Sequence, residues 1–325
     1  MQVMLVRVLS IISMVCCSMT MLTIFLNKNL QSFAFQLVLF VVTNDFFFAL
    51  AFACPSAIET FGADSWQCSL QAFSTNYFLL SSIMWSCATG YLISDVIVAS
   101  KSLSRKKGFN TVLVRRYLIF FCQILPCIPS MLPVLLDGYG DSGNGWCWVK
   151  KGSGKYYIYR LFTIYLWNWM AIFYCVYVYI VVTKSLAEIS ESQDENHWTG
   201  SSGWKTLKYY PLVLLVSSMF PTADRFIGLF HHSYYWLKVA HALARTSMGI
   251  LDSAIFFFTP KVTREVLRSL EYVCTSLRSE SSPTSSTDKS MDGYTKNICE
   301  SSDDVDLTDY HNMVDNKHKS RGAIA

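Results

Sequence analysis

Seven long apolar runs, separated by short polar connections, dominate the chain. A helix that crosses the hydrocarbon core of a bilayer needs about 20 residues, because each residue adds about 1.5 Å. The runs cover residues 8–26, 33–53, 70–100, 117–136, 157–183, 209–230 and 239–259. They predict an all-α membrane protein, with a seven-transmembrane helix bundle in residues 1–260. Because the connections are short, neighbouring helices are expected to run antiparallel.

Two segments of different character follow the bundle. Residues 261–274 place Val262 and Val266 on one helical face, away from Arg264, which predicts a short amphipathic eighth helix on the inner leaflet. Residues 275–325 are rich in Ser, Thr and charged residues and have too little apolar surface to fold alone, so a disordered cytoplasmic tail is expected. Its many hydroxyl groups make a tail kinase and an arrestin-like adaptor expected partners.

Composition supports a membrane protein and excludes several other classes. Of the 325 residues, 52% are hydrophobic and only 15% are charged, whereas soluble domains carry about 25% charged residues. A soluble enzyme, a nucleic-acid-binding module and a disordered scaffold are therefore excluded as descriptions of the whole chain. The chain contains no H-E-x-x-H motif, no G-x-S-x-G motif and no C-x-x-C pair. We accordingly expect no catalytic residues, no metal site and no cofactor.

The distribution of Lys and Arg predicts the orientation of the bundle. With the N-terminus outside, and with the tail beyond residue 274 left out, thirteen Lys and Arg residues near the helix ends lie on the inner side and five on the outer side. Positive residues accumulate on the cytoplasmic side of membrane proteins, so we expect an extracellular N-terminus and a cytoplasmic C-terminus in the plasma membrane. The second inner connection contains Arg105, Lys106, Lys107, Arg115 and Arg116. These residues are expected to contact either an intracellular partner protein or anionic membrane lipid.

Three of the eleven cysteines are expected on the outer side. Cys68 lies at the start of the third helix, and Cys147 lies in the connection between the fourth and fifth helices. Because the extracellular side is oxidising, a disulfide between Cys68 and Cys147 is predicted. Cys54, near the outer end of the second helix, is the competing partner.

Ionisable residues inside the apolar runs are costly and therefore mark functional or paired positions. Arg160, Arg225, Arg245 and Asp224 fall in the outer half of the bundle, where Arg residues outnumber Asp residues. Arg presents a planar fork to carboxylates and phosphates, so this surplus predicts binding of a small anionic ligand. The alternative is that these Arg residues pair with Asp or extend to the lipid headgroups without contacting a ligand.

A second polar group is predicted between the second and seventh helices. It consists of Asp45, Asn44, Asp252 and Ser253, and it is expected to hold the two helices together. A charge pair, a bound cation and a protonated carboxyl are all compatible with these residues, because a buried carboxylate needs one of them.

Several residue groups form a pattern that is known from one family. They are Cys68, Trp85, the loop Asn144-Gly145-Trp146-Cys147-Trp148-Val149, Tyr159-Arg160, Asp224-Arg225 and Gly249-Ile250-Leu251-Asp252-Ser253. Together they resemble the cyclic-AMP-receptor-like (class E) family of G-protein-coupled receptors, over roughly residues 10–270. The resemblance implies a receptor that binds an extracellular ligand and activates a heterotrimeric G protein. Asp252 departs from the family, in which this position is often neutral.

Two other functions are compatible with seven apolar helices. A transporter or channel would need polar residues through the whole bundle, whereas the inner halves of the first, fourth and fifth runs are almost wholly apolar. A receptor that signals without a G protein would have the same sequence features.

Overall fold

The computed structural model describes residues 2–55, 57–101, 111–143, 145–152, 154–192, 209–230 and 234–268. Most of these residues lie in seven long helices. Four are continuous: α1 (Gln2–Leu26), α2 (Phe33–Ala53), α3 (Trp66–Lys101) and α6 (Tyr209–Phe230). Helix α4 comprises Thr111–Ile119, a π-helical turn Phe120–Ile124 and Cys127–Leu135. Helix α5 comprises Lys155–Arg160, a π-helical turn Leu161–Tyr165 and Leu166–Ser192, and α7 comprises Tyr235–Thr246 and Met248–Phe257.

The connections contain structure that the apolar pattern did not predict. A short helix, Ala57–Phe61, precedes α3. Between α4 and α5, strands β1 (Tyr139–Asp141) and β2 (Cys147–Val149) form an antiparallel hairpin in which Gly140 pairs with Trp148. We call the end of the bundle that carries these strands the hairpin end.

Residues 260–268 are helical, at the position of the expected eighth helix. Val262 is fully buried there, and Asn29 Nδ2 donates a hydrogen bond of 3.4 Å to Glu265 Oε2. Residues 269–274 and the tail from 275 onward lie outside the described residues, so the full extent of this helix and the character of the tail stay predictions.

Four of the described helical stretches are long and apolar enough to cross a membrane, judged by length and composition. They are Val3–Leu26, Phe33–Ala53, Leu113–Leu135 and Lys155–Ser185, and two shorter apolar stretches are Leu212–Asp224 and Met248–Phe257. Helix α3 is not among these stretches, and its described buried faces carry many polar side chains. These are Thr75, Asn76, Ser81, Ser82, Ser86 and Thr89. They face other helices rather than lipid, so a polar α3 is compatible with a position inside the bundle.

The interrupted hydrogen bonding of α4 has a visible cause. Pro126 has no N–H to donate to the carbonyl of Cys122 one turn earlier. Ser81 on α3 compensates, since its Oγ donates a 2.6 Å hydrogen bond to that carbonyl oxygen. Tyr77 on α3 similarly donates its hydroxyl proton to the carbonyl oxygen of Gln123, at 3.0 Å. The π-helical turn of α4 is therefore fastened to α3 by side-chain hydrogen bonds.

Apolar side chains pack together at the end of the bundle opposite the hairpin. Ile24 on α1, Phe35 on α2, Val182 on α5, Phe256 on α7 and Val262 of the following helix belong to one buried cluster. We call it the inner cluster.

Candidate functional site

The hairpin is fastened to the bundle at both strands. Cys68 at the start of α3 and Cys147 on β2 form a disulfide, with 5.3 Å between their Cα atoms. This confirms the predicted bond, and Cys54, the competing partner, is a free and exposed cysteine. On the other strand, the Tyr139 hydroxyl donates a 2.8 Å hydrogen bond to the carbonyl oxygen of Ser130 on α4. Burial raises the pKa of Tyr139, so this hydroxyl stays protonated and able to donate.

Arg160 on α5 holds the hairpin from the side. Its Nη2 donates hydrogen bonds to the carbonyl oxygens of Val149, at 2.8 Å, and Lys150, at 3.0 Å. Its guanidinium carbon also lies 5.5 Å from the ring centroid of Trp148, within the range of a cation–π contact. These contacts give Arg160, one of the predicted ligand-binding residues, a direct role in positioning the hairpin.

The π-helical turn of α5 separates Arg160 from Asn168. A π-helical turn inserts extra backbone into a helix and changes the faces on which the following side chains lie. The Trp167 indole N–H donates a 2.9 Å hydrogen bond to the carbonyl oxygen of Phe162, within that turn. The turn thus lets one helix present Arg160 to the hairpin and Asn168 to the bundle interior.

Of the two predicted Arg side chains that the structure describes, Arg245 on α7 is the more enclosed, with 7% of its surface exposed. Its Nη2 donates a 2.7 Å hydrogen bond to Oδ1 of Asn168, and its Nη1 lies 3.8 Å from the sulfur of Met248. Among the described residues, no Asp or Glu forms an ion pair with Arg245. A buried guanidinium that rests on a neutral amide retains most of its capacity to bind an anion.

Helix α6 contributes to the same place. Ser218 Oγ donates a 3.2 Å hydrogen bond to Oδ1 of Asn168, so this oxygen joins α5, α6 and α7. Thr222 lies one turn nearer the hairpin end on the same face of α6, and its buried Oγ1 has no hydrogen-bond partner among the described residues. Tyr165 interacts electrostatically with Arg245 and meets the Trp148 ring edge-on at 6.1 Å. We call Arg245, Asn168, Ser218 and Tyr165 the Arg245 site.

Of the two remaining predicted ligand residues, the structure describes the side chain of Asp224. Asp224 on α6 is buried and pairs with Nδ1 of His241 on α7, at 2.9 Å. Arg225 lies in α6, but its side chain is outside the described part of the chain. The pairing of Asp224 with His241 ties α6 to α7 near the hairpin end.

A small crevice opens elsewhere at the hairpin end. It has a volume of about 20 Å³ and lies between the start of α1, the end of α2 and the hairpin, where Arg7, Gln71 and Trp146 line it. This volume suits about one water molecule rather than an organic ligand.

The polar group between α2 and α7 is assembled from four helices. Asp45 and Asp252 are buried close enough to interact electrostatically, and Ser82 on α3 donates a 2.6 Å hydrogen bond to Oδ1 of Asp45. Cys17 on α1 and Ser253 on α7 also contact each other beside the two carboxyl groups. Among the residues that the structure describes, no basic side chain pairs with either acid, so a charge pair is not formed.

Asn44, the fourth residue predicted for this group, behaves differently. Its Nδ2 donates a 2.7 Å hydrogen bond to the carbonyl oxygen of Phe40 in its own helix. Sequence reasoning also missed Ser82, although its position on the predicted third helix placed a hydroxyl at membrane depth.

The predicted inner basic residues are described only in part. Arg115 and Arg116 are exposed at the start of α4, whereas Arg105, Lys106 and Lys107 lie outside the described ranges. Asn168 and Ser218 were not predicted as site residues. The signal was present, because an amide and a hydroxyl interrupt the apolar runs at 157–183 and 209–230.

The family model and the relatives that the chain matches are all described as receptors. Residues 1–274 match the family model described as slime mold cyclic AMP receptor. The chain is 24% identical over 262 residues to "G-protein coupled receptor 1" of Arabidopsis thaliana, covering 76% of this chain and 74% of that protein. It is 22% identical over 271 residues to "G-protein coupled receptor 157" of Mus musculus, covering 78% and 81%.

Among solved structures, squid rhodopsin aligns with a TM-score of 0.66 over 89% of this chain and 88% of its own, at 14% identity. At this identity the likeness shows a common fold and nothing more specific.

Proposed function

The chain belongs to the slime mold cyclic AMP receptor family, and from this premise we propose a G-protein-coupled receptor whose extracellular ligand binds in the outer half of the bundle. Seven helices cross the plasma membrane, with the N-terminus extracellular and the C-terminus cytoplasmic. The excess of Lys and Arg on the inner side supports this orientation. The hairpin end then faces the exterior, where an oxidising environment favours the disulfide between Cys68 and Cys147.

The ligand of this receptor is a small anion, and Arg245 is its anchor. The observation that carries this proposal is the buried Arg245 guanidinium, which contacts the neutral amide of Asn168. A carboxylate or phosphate would form a stronger, charge-assisted hydrogen bond there. Arg225, Asp224 and Arg160 remain further candidates for ligand contact, Arg160 through the hairpin that it positions.

A heterotrimeric G protein is the proposed intracellular partner. Arg115 and Arg116 are exposed at the inner end of α4 and supply positive charge to that surface. Anionic lipid headgroups would use the same charges. The inner cluster favours a receptor over a transporter or channel, because its members are apolar and buried where a solute path would need polar residues. In this proposal a kinase phosphorylates the tail, and an arrestin-like adaptor binds to it.

A ligand screen tests the receptor and its anchor together. Cells that express the chain and a G-protein dissociation sensor are exposed to cyclic nucleotides, other phosphates and carboxylates. The active compound should lose potency on Arg245→Gln and retain part of it on Arg245→Lys, which keeps the charge but not the planar fork. Surface expression is measured for each variant. A compound that activates the wild type and Arg245→Gln with equal potency would remove Arg245 from the site.

A further inference from the structure

Asn168 occupies an unusual position in the bundle, because a single oxygen atom joins three helices. Its Oδ1 accepts a hydrogen bond from Arg245 on α7, at 2.7 Å, and another from Ser218 on α6, at 3.2 Å. Asn168 itself belongs to α5 and is 2% exposed, and Ser218 is completely buried. The hydrophobic periodicity of the sequence does not predict that these three residues meet.

The two partners of the contact between Arg245 and Asn168 do not match in charge. Arg245 carries a full positive charge, whereas the oxygen of an amide carries only a partial negative charge. The bond from the guanidinium to the amide oxygen has a charged donor, but a carboxylate or phosphate would add a full negative charge and could accept two parallel N–H bonds. Burial increases the cost of lacking a negative partner, because water does not screen the guanidinium there.

We propose that Asn168 is a placeholder for the anionic group of the ligand. An oxyanion that reaches Arg245 displaces the Asn168 amide oxygen, and this displacement separates α5 from α7 and removes the shared acceptor of Ser218 on α6. The inference rests on the proposed function for the existence of an anionic ligand, and it adds how binding of that ligand alters the bundle.

The surroundings of Asn168 suit such an exchange. The unpartnered Oγ1 of Thr222 lies one turn from Ser218 toward the hairpin end and supplies a further donor to an incoming oxyanion. The Tyr165 ring contacts the ring of Trp148 on the hairpin and so links this region to the hairpin. A ligand shifts a conformational equilibrium only through contacts that differ between the two states. The contact between Arg245 and Asn168 differs in this way, because amide and oxyanion compete for the same N–H.

Two substitutions at Asn168 should have opposite effects. Asn168→Ala removes the placeholder, so anions should bind Arg245 more tightly, by about tenfold if the lost competitor is worth about 1.4 kcal/mol. Asn168→Asp supplies a permanent carboxylate beside Arg245, so added anions should have no effect. A purely structural role for Asn168 would weaken anion binding in both variants.

The measurement is the thermal stability of the purified full chain in lipid nanodiscs. Inorganic phosphate and acetate are titrated against chloride at equal ionic strength, because an anion that binds only the folded state raises the melting temperature. Arg245→Gln should abolish the shift. Asn44→Ala is the matched control, since Asn44 is an equally buried asparagine that bonds only to its own helix among the described contacts.

Helix movement is followed in the same samples. Fluorescent amino acids at Lys184 on α5 and Tyr209 on α6, both exposed, report the separation of these helices. Phosphate should change this separation in the wild type, Asn168→Ala should change it without phosphate, and Asn168→Asp should prevent the change.

The outcomes separate the two proposals. If phosphate or acetate stabilises the wild type but not Arg245→Gln, while both Asn168 variants respond like the wild type, the anion site stands and the placeholder is overturned. If no anion stabilises any variant, both proposals fall. Nanodiscs with and without an anionic phospholipid distinguish a headgroup phosphate from a soluble one. A shift that requires the lipid assigns the displacing oxyanion to the membrane and contradicts an extracellular ligand at Arg245.

Discussion

Asp45 on α2 and Asp252 on α7 are buried close to each other inside the bundle, and among the described residues no basic side chain pairs with either. A hydrogen bond between two carboxyl groups requires a proton on one of them. Both residues are at most 3% exposed, and two unscreened negative charges at this distance would repel strongly. The pair therefore has to hold at least one positive charge, either as a proton on one carboxyl group or as a bound cation.

Neutralising one acid should consequently not destabilise the protein. Asp252→Asn keeps the shape and the hydrogen-bonding capacity of the side chain and removes one ionisable group. We expect its melting temperature to rise, by about 2–4 °C for each kcal/mol of repulsion removed. Asp137→Asn, at an exposed position, should have no effect. A marked fall in the melting temperature of Asp252→Asn would mean that its negative charge has an attractive partner.

The disulfide between Cys68 and Cys147 should behave as one unit. Replacing either cysteine by Ala removes the same bond, so each single variant and the double variant should lose similar stability, about 2–5 kcal/mol. Cell-surface expression and thermal unfolding measure this loss. Cys54→Ala should match the wild type, because Cys54 is free and exposed. Additive losses in the double variant would show that the two thiols act separately.

Arg160 should contribute more to the hairpin than its neighbour Lys150. Arg160→Ala removes two hydrogen bonds to hairpin carbonyls, each worth about 1.5–3 kcal/mol for a charged donor. Lys150 pairs with Asp137 and Asp64, both strongly exposed, and such pairs contribute about 0–1 kcal/mol. Hydrogen exchange of the amides of residues 147–149 compares the variants. Equal protection in Arg160→Ala and Lys150→Ala would contradict the assigned role of Arg160.

Gly249 should be required for the close approach of α1 and α7. A Cβ at this position would lie 2.5 Å from both Cys17 Sγ and Ser13 Oγ, closer than atoms pack. Gly249→Ala should therefore cost about 1–3 kcal/mol through overpacking. Removing the two opposing atoms with Cys17→Gly and Ser13→Gly should restore part of the packing. If the triple variant is no more stable than expected from additive losses, the contact is not the cause.

The apolar pattern predicted the helices well, since their observed bounds overlap all seven runs. The agreement is closest for α6, which spans Tyr209–Phe230 as expected. The sequence did not reveal the break in α7 at Ser247, because no Pro or Gly occupies that position. The hairpin was also missed, because strands of three residues are too short to show an alternating pattern.

The polar site was predicted less completely. Arg245 was identified because a charge at membrane depth is rare, whereas Asn168 and Ser218 are neutral and resemble ordinary helix-packing residues in a single sequence. Arg160 was identified for the same reason as Arg245, yet its described contacts are with the hairpin backbone. Charge at membrane depth therefore identifies both Arg residues, but it does not distinguish a residue that positions the hairpin from one in the bundle interior.

The order of hydrophobic and polar residues was sufficient to locate the apolar helices, the outer cysteines and the buried charges. Burying unpaired backbone groups or charges in an apolar medium is very costly. Membrane-spanning segments therefore consist of helix-length runs of apolar residues in which a charge stands out. The partner of each buried polar group could be assigned only once the helices were packed. Hydrogen bonds act over about 3 Å, and residues 77 positions apart, such as Asn168 and Arg245, reach that distance only through the rotation and depth of two helices.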